Sequence, residues 1–298
     1  MCGIVGLFLK DKSLEPQLGA MLSEMLVLLT DRGPDSAGIA IYGSSQKDHG
    51  KLTIQSQQPA RDFAGLEAEL GKKIGAKVEM LVKSTHAVLD VPRDKLEAAR
   101  DAIAELRPDA RVMGMGDTIE IYKEVGLPEK VAERFEVSKM SGTHGIGHTR
   151  MATESAVTTM GAHPFSTGPD QCLVHNGSLS NHNNVRRELK REGMSFETEN
   201  DTEVAAAYLS HKISHGQDLG QALESSLSDL DGFFTFVVGT KNGFGVVRDP
   251  IACKPAVLAE TDQYVAFGSE YRALAKLPGI ESAKVWEPEP STVYFWEH

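Results

Sequence analysis

Cys2-Gly3-Ile4-Val5-Gly6-Leu7-Phe8-Leu9 opens the chain, and its reading decides what the remaining sequence has to build. Ile4 to Leu9 is a short, uncharged apolar run, which predicts a buried strand starting almost at the amino terminus. If Met1 is removed, as a small second residue favours, the Cys2 thiol becomes the side chain of the first residue. Its own α-amine, with an ordinary pKa of about 7.7–8.0, can then serve as a base near neutral pH. Nucleophile and base would be united in one residue, with Gly3 leaving room for a substrate. On the dipeptide alone, a cysteine at position 2 is equally an accident of the start site.

Working outward, Leu18, Met21, Leu22, Met25, Leu26 and Leu29 recur at three- and four-residue spacing, which predicts a helix over 16–29. Pro34 ends it. Ser36 to Tyr42 and Lys51 to Ser56 read as strands joined by a polar turn. From about Pro59 to Val137 the texture changes to helical patterns at 63–70 and 93–106 alternating with strand-like 78–83, 111–115 and 118–122. That alternation predicts a small α+β insertion at about 59–137. Strands return at 145–150, 171–175, 233–239, 243–248, 256–259 and 264–268, with helices at 181–192, 202–213 and 219–230 between the second and third. Asn181 and Asp201 read as N-caps and Gly193 as a stop. Strands cluster and helices cluster, which predicts layered α+β rather than alternating βαβ.

Composition excludes several classes. A chain of 298 residues, 41% hydrophobic and 24% charged, can build a large core. A net charge of −11 with no basic stripe argues against nucleic acid and against an anionic membrane surface. The longest apolar run, near 21–29, falls short of the roughly 20 residues that span a bilayer, and no signal-peptide pattern is present. Cys2, Cys172 and Cys253 are scattered without CxxC or Cys/His spacing, which predicts no metal site, no disulfide framework and a reducing, cytoplasmic setting.

Other residues can carry chemistry. Val174-His175-Asn176-Gly177 follows an apolar run; an Asn amide and a Gly backbone N–H together can form an oxyanion hole, although Asn-Gly is also a common turn. Arg32 and Arg150 offer forks suited to a carboxylate, and Asp201, in Glu199-Asn200-Asp201-Thr202-Glu203, offers an acceptor for an ammonium. Each is alternatively a surface charge or a cap. Together with Cys2 they are what hydrolysis of a free amino acid's side-chain amide requires. His148, His163 and His175 flank these segments; a His/Cys dyad is the rival way to activate the thiol, and a structural role is the commoner fate of such histidines.

Cys2-Gly3-Ile4-Val5-Gly6, Arg32-Gly33-Pro34-Asp35-Ser36-Ala37-Gly38, Gly147-His148-Thr149-Arg150, His175-Asn176-Gly177 and Asp201-Thr202-Glu203 occur in the order seen in class II glutamine amidotransferases. These are the N-terminal-nucleophile (Ntn) glutaminase domains of amidophosphoribosyltransferase, glucosamine-6-phosphate synthase, asparagine synthetase and glutamate synthase. Arg248-Asp249-Pro250, Lys254-Pro255 and Ser269-Glu270 resemble turns of the phosphoribosyltransferase branch. The resemblance covers about 2–42 and 141–275. It implies a four-layer αββα Ntn-hydrolase sandwich, interrupted here by the insertion. It also implies Cys2 as nucleophile with its α-amine as base, Asn176 and Gly177 as oxyanion hole, Arg150 for the glutamine α-carboxylate and Asp201 for its α-ammonium. Thr153 and His163 would lie nearby, with Arg32 supporting the site. Met151-Ala152-Thr153-Glu154 stands where the glucosamine-phosphate branch has Trp-Ala-Thr-His, which speaks against that branch.

The sequence after the last matched segment leaves no length for a synthase domain, so an acceptor-bearing partner is expected. Stand-alone glutaminase subunits of this length resemble those of glutamate-synthase-like and N-methylglutamate-synthase-like systems, whose flavin and iron–sulfur chemistry sits on partner chains. No cofactor is expected on this chain, which lacks the cysteines for a cluster and any GxGxxG. The insertion is either a docking element or decoration of the fold.

Overall fold

The computed structural model describes residues 2–44, 46–152 and 156–298. Along the chain the elements are β1 (Gly3–Leu9), α1 (Leu18–Val27), β2 (Ser36–Tyr42), β3 (His49–Gln55), α2 (Pro59–Asp62), α3 (Leu66–Ile74), β4 (Glu79–Lys83), β5 (His86–Pro92), α4 (Leu96–Leu106), β6 (Arg111–Gly116), β7 (Ile119–Val125) and α5 (Pro128–Arg134). There follow β8 (His144–Arg150), β9 (Phe165–Gly168), β10 (Gln171–Leu179), α6 (His182–Arg191), α7 (Asp201–Ser214), α8 (Leu219–Asp229), β11 (Gly232–Gly239), β12 (Gly243–Arg248), β13 (Val257–Glu260), β14 (Tyr264–Gly268), β15 (Lys284–Trp286) and β16 (Val293–Glu297).

Two antiparallel sheets stack at the centre. The larger runs β15-β13-β14-β1-β8-β2-β7 and the smaller β16-β12-β11-β10-β9. Strand β1 explains why both faces are covered. Val5, Leu7 and Leu9 point to one side, into a core shared with Leu18, Leu22 and Leu26 of α1. Ile4 and Phe8 point to the other, into a core shared with Val174, Val237 and Phe244 of the second sheet. A strand buried on both faces reads as an uninterrupted apolar run, as 4–9 does. The second sheet's far face packs Leu173, Phe234, Phe236 and Val238 against α6, α7 and α8. The layers are therefore helix, sheet, sheet, helix, the α+β sandwich of Ntn hydrolases.

A third, four-stranded sheet, β4-β5-β3-β6, forms a small-sheet module with its own core, in which Leu52, Ile54, Leu89 and Val91 pack on Leu66, Leu70, Ala99 and Ile103 of α3 and α4. It differs from the expected 59–137 insertion at both ends. Strand β3 pairs with β5 and β6 rather than returning along β2, while β7 pairs with β2 and α5 packs on the large sheet. Strands β2 and β3 thus lie in different sheets, and the polar 43–50 stretch reads as a hairpin turn because a crossover and a hairpin are equally solvated. Among the described residues, no helix is long and apolar enough to cross a membrane.

Candidate active site

Strand β1 carries Cys2 just ahead of its first paired residue, and β8, its antiparallel neighbour, carries Arg150 at its last. Strand β10 of the second sheet brings Asn176 and Gly177, and the start of α7 brings Asp201. All five, with Arg32 and His163, line one cleft of about 780 Å³. Thr153 lies outside the described residues.

Cys2 is half-buried, and its Sγ lies 3.4 Å from the Met151 backbone N–H and 3.7 Å from the Met151 carbonyl. The Cys2 carbonyl accepts from Arg32 Nε at 2.9 Å and from Asn176 Nδ2 at 3.2 Å. Arg32 is buried and completes its fork with an Nη1–Glu270 Oε1 ion pair at 2.5 Å, which holds the Glu270 carboxyl below its ordinary range. It orients the residue that bears the thiol. Asn176 Nδ2 also donates to Ser269 Oγ at 3.2 Å, and that same oxygen accepts the Ile4 N–H at 2.9 Å. Ser269 therefore ties the Asn176 amide to strand β1, which carries Cys2. Its motif had been noted, but the role of its hydroxyl was not, because nothing local in the sequence connects 269 to 4 or 176.

Gly177 has φ +146°, and an added Cβ would sit 1.9 Å from the Phe233 carbonyl oxygen. No L side chain fits there. The pair Asn176-Gly177 lies inside β10, which runs on to Leu179, rather than at a strand end. Gly3 is glycine for a different reason than substrate access: its Cβ would meet Leu29 Cβ at 2.9 Å and Thr149 Oγ1 at 2.7 Å, beneath α1.

Asp201 is the first residue of α7, and the N-cap is Asn200, whose side chain accepts from the Thr202 N–H at 2.9 Å. The expectation of Asp201 as cap fails by one residue, which releases its carboxylate for other work. One oxygen accepts the Leu179 N–H at 3.0 Å and the other lies 3.7 Å from His175 Nδ1. Asn181 precedes α6 as expected, and Gly193, at φ +92°, follows its end.

The three histidines form a buried network of their own. Thr202 Oγ1 lies 2.8 Å from His163 Nε2 and 3.1 Å from His175 Nδ1, and His148 Nε2 lies 3.2 Å from the His175 carbonyl. The His148 and His163 rings stack at 4.1 Å. Burial pushes His148 down to about 3 and His163 and His175 below their ordinary value, so the rings are neutral near pH 7. Among the described residues none of them hydrogen-bonds the Cys2 thiol, and the geometry offers no His/Cys dyad. Arg150 Nη1 reaches the Ala156 carbonyl at 3.3 Å across the cleft. Among the described residues no group of three or more His, Cys, Asp or Glu is placed to hold a metal ion.

A mixed sandwich with a cysteine at the head of its central strand and an Asn-Gly pair facing it defines the Ntn amidohydrolase class. Comparison with known proteins narrows this. A glutamine amidotransferase domain model matches residues 148–276. The chain is 70% identical, over its full length and 99% of the relative, to the glutamine amidotransferase-like protein GlxB of Rhizobium meliloti. It is 34% identical, over the full length of both, to a putative glutamine amidotransferase of Methanothermobacter thermautotrophicus. The glutamine phosphoribosylpyrophosphate amidotransferase of B. subtilis shares the fold at TM-score 0.63 and 20% identity; the match covers 99% of this chain and 47% of that one. The chain belongs to the class II glutamine amidotransferase family.

Proposed function

We propose that this protein hydrolyses glutamine to glutamate and ammonia through a γ-glutamyl thioester on Cys2, and that a partner synthase subunit consumes the ammonia. The observation that carries the reading is the convergence of Cys2, Asn176, Gly177, Arg150 and Asp201, from three layers of the fold, on one cleft.

Once Met1 is removed, the Cys2 α-amine takes the thiol proton and the sulfur attacks the glutamine side-chain carbonyl carbon. The Met151 N–H, 3.4 Å from Sγ, stabilises the thiolate. The oxyanion of the tetrahedral intermediate is met by the Gly177 backbone N–H and by the Asn176 amide, which turns one N–H from the Cys2 carbonyl to reach it while Ser269 holds the other. Collapse breaks the C–N bond, and the proton held by the α-amine leaves with ammonia. Water then adds to the thioester, the α-amine again acting as base, and glutamate departs. Arg150 pairs with the substrate α-carboxylate and Asp201 with its α-ammonium, while Arg32 fixes the Cys2 main chain. This chemistry needs no cofactor on this chain. The partner we infer is of the glutamate-synthase-like or N-methylglutamate-synthase-like kind, carrying flavin or iron–sulfur groups, in the reducing cytoplasm.

Mass spectrometry of the purified chain after treatment with diazo-oxo-norleucine, a glutamine-mimicking electrophile, tests the reading. Loss of Met1 and a single adduct on Cys2 are expected. Retained Met1, or an unmodified Cys2 even with the partner present, refutes it. Co-purification with native partners identifies the acceptor.

A further inference from the structure

Strand β7 closes one edge of the large sheet, and edge strands ordinarily turn their charges to solvent. Lys123 does the opposite and is 3% exposed. Its Nζ donates to the carbonyls of Ala162 at 2.9 Å, Pro164 at 3.2 Å and Met160 at 3.5 Å, and lies 4.5 Å from the centre of the Phe165 ring. Three N–H groups meet three carbonyls. Among the described residues, none of its hydrogen bonds goes to a carboxylate. Burying an ammonium is costly, and burial lowers this one to about 8 against the opposing pull of Glu203 and Glu197. A methionine would fill similar space without that cost. What the ammonium alone supplies is a grip on the backbone of 160–164.

That backbone is a wall of the Cys2 cleft, to which Met160, Gly161 and His163 contribute. His163 sits between two gripped carbonyls and sends its ring to Thr202. Gly38 lies directly across from Lys123 on β2 and backs the same segment: a Cβ there would lie 2.2 Å from the His163 carbonyl oxygen and 2.5 Å from Lys123 Cβ. One residue further along β7, Glu124 accepts hydrogen bonds from Thr159 and from Thr85, the latter at 2.9 Å, which links the wall to the small-sheet module.

We propose that Lys123 is a positioning residue for glutamine: its ammonium fixes the 160–164 wall, and with it the His163 side chain, without itself reaching substrate or Cys2. The inference rests on the glutaminase reading above. The titratable groups that face Lys123 are Glu203 on α7, Glu197 ahead of α7, His163 on the gripped segment and His86 on β5. As pH rises through about 8, the amine loses one donor and turns a lone pair toward a carbonyl. The grip loosens on the alkaline side, where KM for glutamine rises.

The test measures kcat and KM for glutamine, together with amide hydrogen exchange across 156–164, for the full chain with its partner as wild type, Lys123→Met and Lys123→Arg. Lys123→Met is expected to raise KM about tenfold with kcat within about threefold, the signature of lost binding rather than lost chemistry, and to speed exchange in the wall. Lys123→Arg keeps the charge, and restores protection while flattening the alkaline rise in KM. Wild-type KM and wild-type exchange in Lys123→Met overturn the proposal, as do equal effects in the Met and Arg variants. Should Lys123→Met fail to fold, wild-type KM that stays flat from pH 7 to 9 overturns it equally. A wild type that neither hydrolyses glutamine nor takes the Cys2 adduct refutes the glutaminase reading, and the exchange comparison still decides whether Lys123 holds the wall.

Discussion

Replacing Ser269 with alanine separates the positioning of Asn176, the oxyanion donor we propose, from the donor itself. Ser269 is 1% exposed, and its Oγ accepts from both Ile4 N–H and Asn176 Nδ2. Alanine leaves the Ile4 N–H buried without this partner, which costs about 1–3 kcal/mol. In a chain of this size, that lowers Tm by roughly 2–5 °C. It also frees one end of the Asn176 amide while leaving its bond to the Cys2 carbonyl. The expected fall in kcat is about tenfold, short of the roughly 10²–10³ that follows removal of the donor in Asn176→Ala. If Ser269 acts on chemistry only by holding Asn176, the double variant turns over no more slowly than Asn176→Ala alone, a non-additivity expected of groups acting as one unit. Glutamate release under saturating glutamine and thermal unfolding provide both readouts. Full kcat in Ser269→Ala, or a double variant whose loss is the product of the two single losses, refutes the reasoning.

Gly177→Ala is expected to cost more than about 3 kcal/mol, because φ +146° and the Phe233 carbonyl at 1.9 Å both oppose a Cβ; an unchanged urea midpoint contradicts this. Arg150→Met removes a charge-assisted contact of about 1.5–3 kcal/mol and raises KM for glutamine roughly 10- to 100-fold, and kinetics showing a loss confined to kcat would reassign the residue. The fold is expected to be acid-sensitive. Burial holds His86, His144 and His148 at about 3, below the unfolded value of about 6.5. The unfolded chain therefore binds more protons in that window. The stability is fully present above the unfolded value and is lost as pH falls from there toward 3, at about 1.4 kcal/mol per pH unit for each histidine. A urea midpoint that does not drop between pH 7 and pH 5 counts against it.

What could be read from sequence follows from how local each signal is. Strand β1 was legible because burial on both faces leaves no polar residue from Ile4 to Leu9. Helix α1 was legible because one apolar stripe recurs at helical spacing. The short strands β9, β15 and β16 were not, since all three are sheet edges and carry mixed residues that only their pairing partners organise. The small module misled at both ends because a solvated crossover and a solvated hairpin share a composition. Among site residues, Cys2, Arg150, Asn176, Gly177 and Asp201 announced themselves by side-chain chemistry in ordered motifs. Thr202 stood in a noted motif, yet its bridge between His163 and His175 is visible only when α7 is laid on β10. Lys123 gave no signal, since a lysine on a short alternating strand reads as a solvated charge.

The geometry of the cleft depends on packing between layers more than on any loop. Cys2 and Arg150 come from the large sheet, Asn176 and Gly177 from the five-stranded sheet stacked on it, and Asp201 from the helices beyond. The spacing of Cys2 from Asn176 and Gly177 is therefore set by what fills the gap between the sheets: Ile4 and Phe8 from one side, Val174, Val237 and Phe244 from the other. Interiors of this density do not deform continuously, so the two sheets hold Asn176 within 3.2 Å of the Cys2 carbonyl without help from substrate. The 160–164 wall touches that core through Met160 but belongs to neither sheet. It is an irregular segment held by the buried lysine on β7 and backed by Gly38 beside it on β2. Preorganisation thus divides unequally: the chemical groups are fixed by the core, whereas the substrate's enclosure hangs on a few polar contacts that titration, mutation or movement of the small-sheet module can loosen.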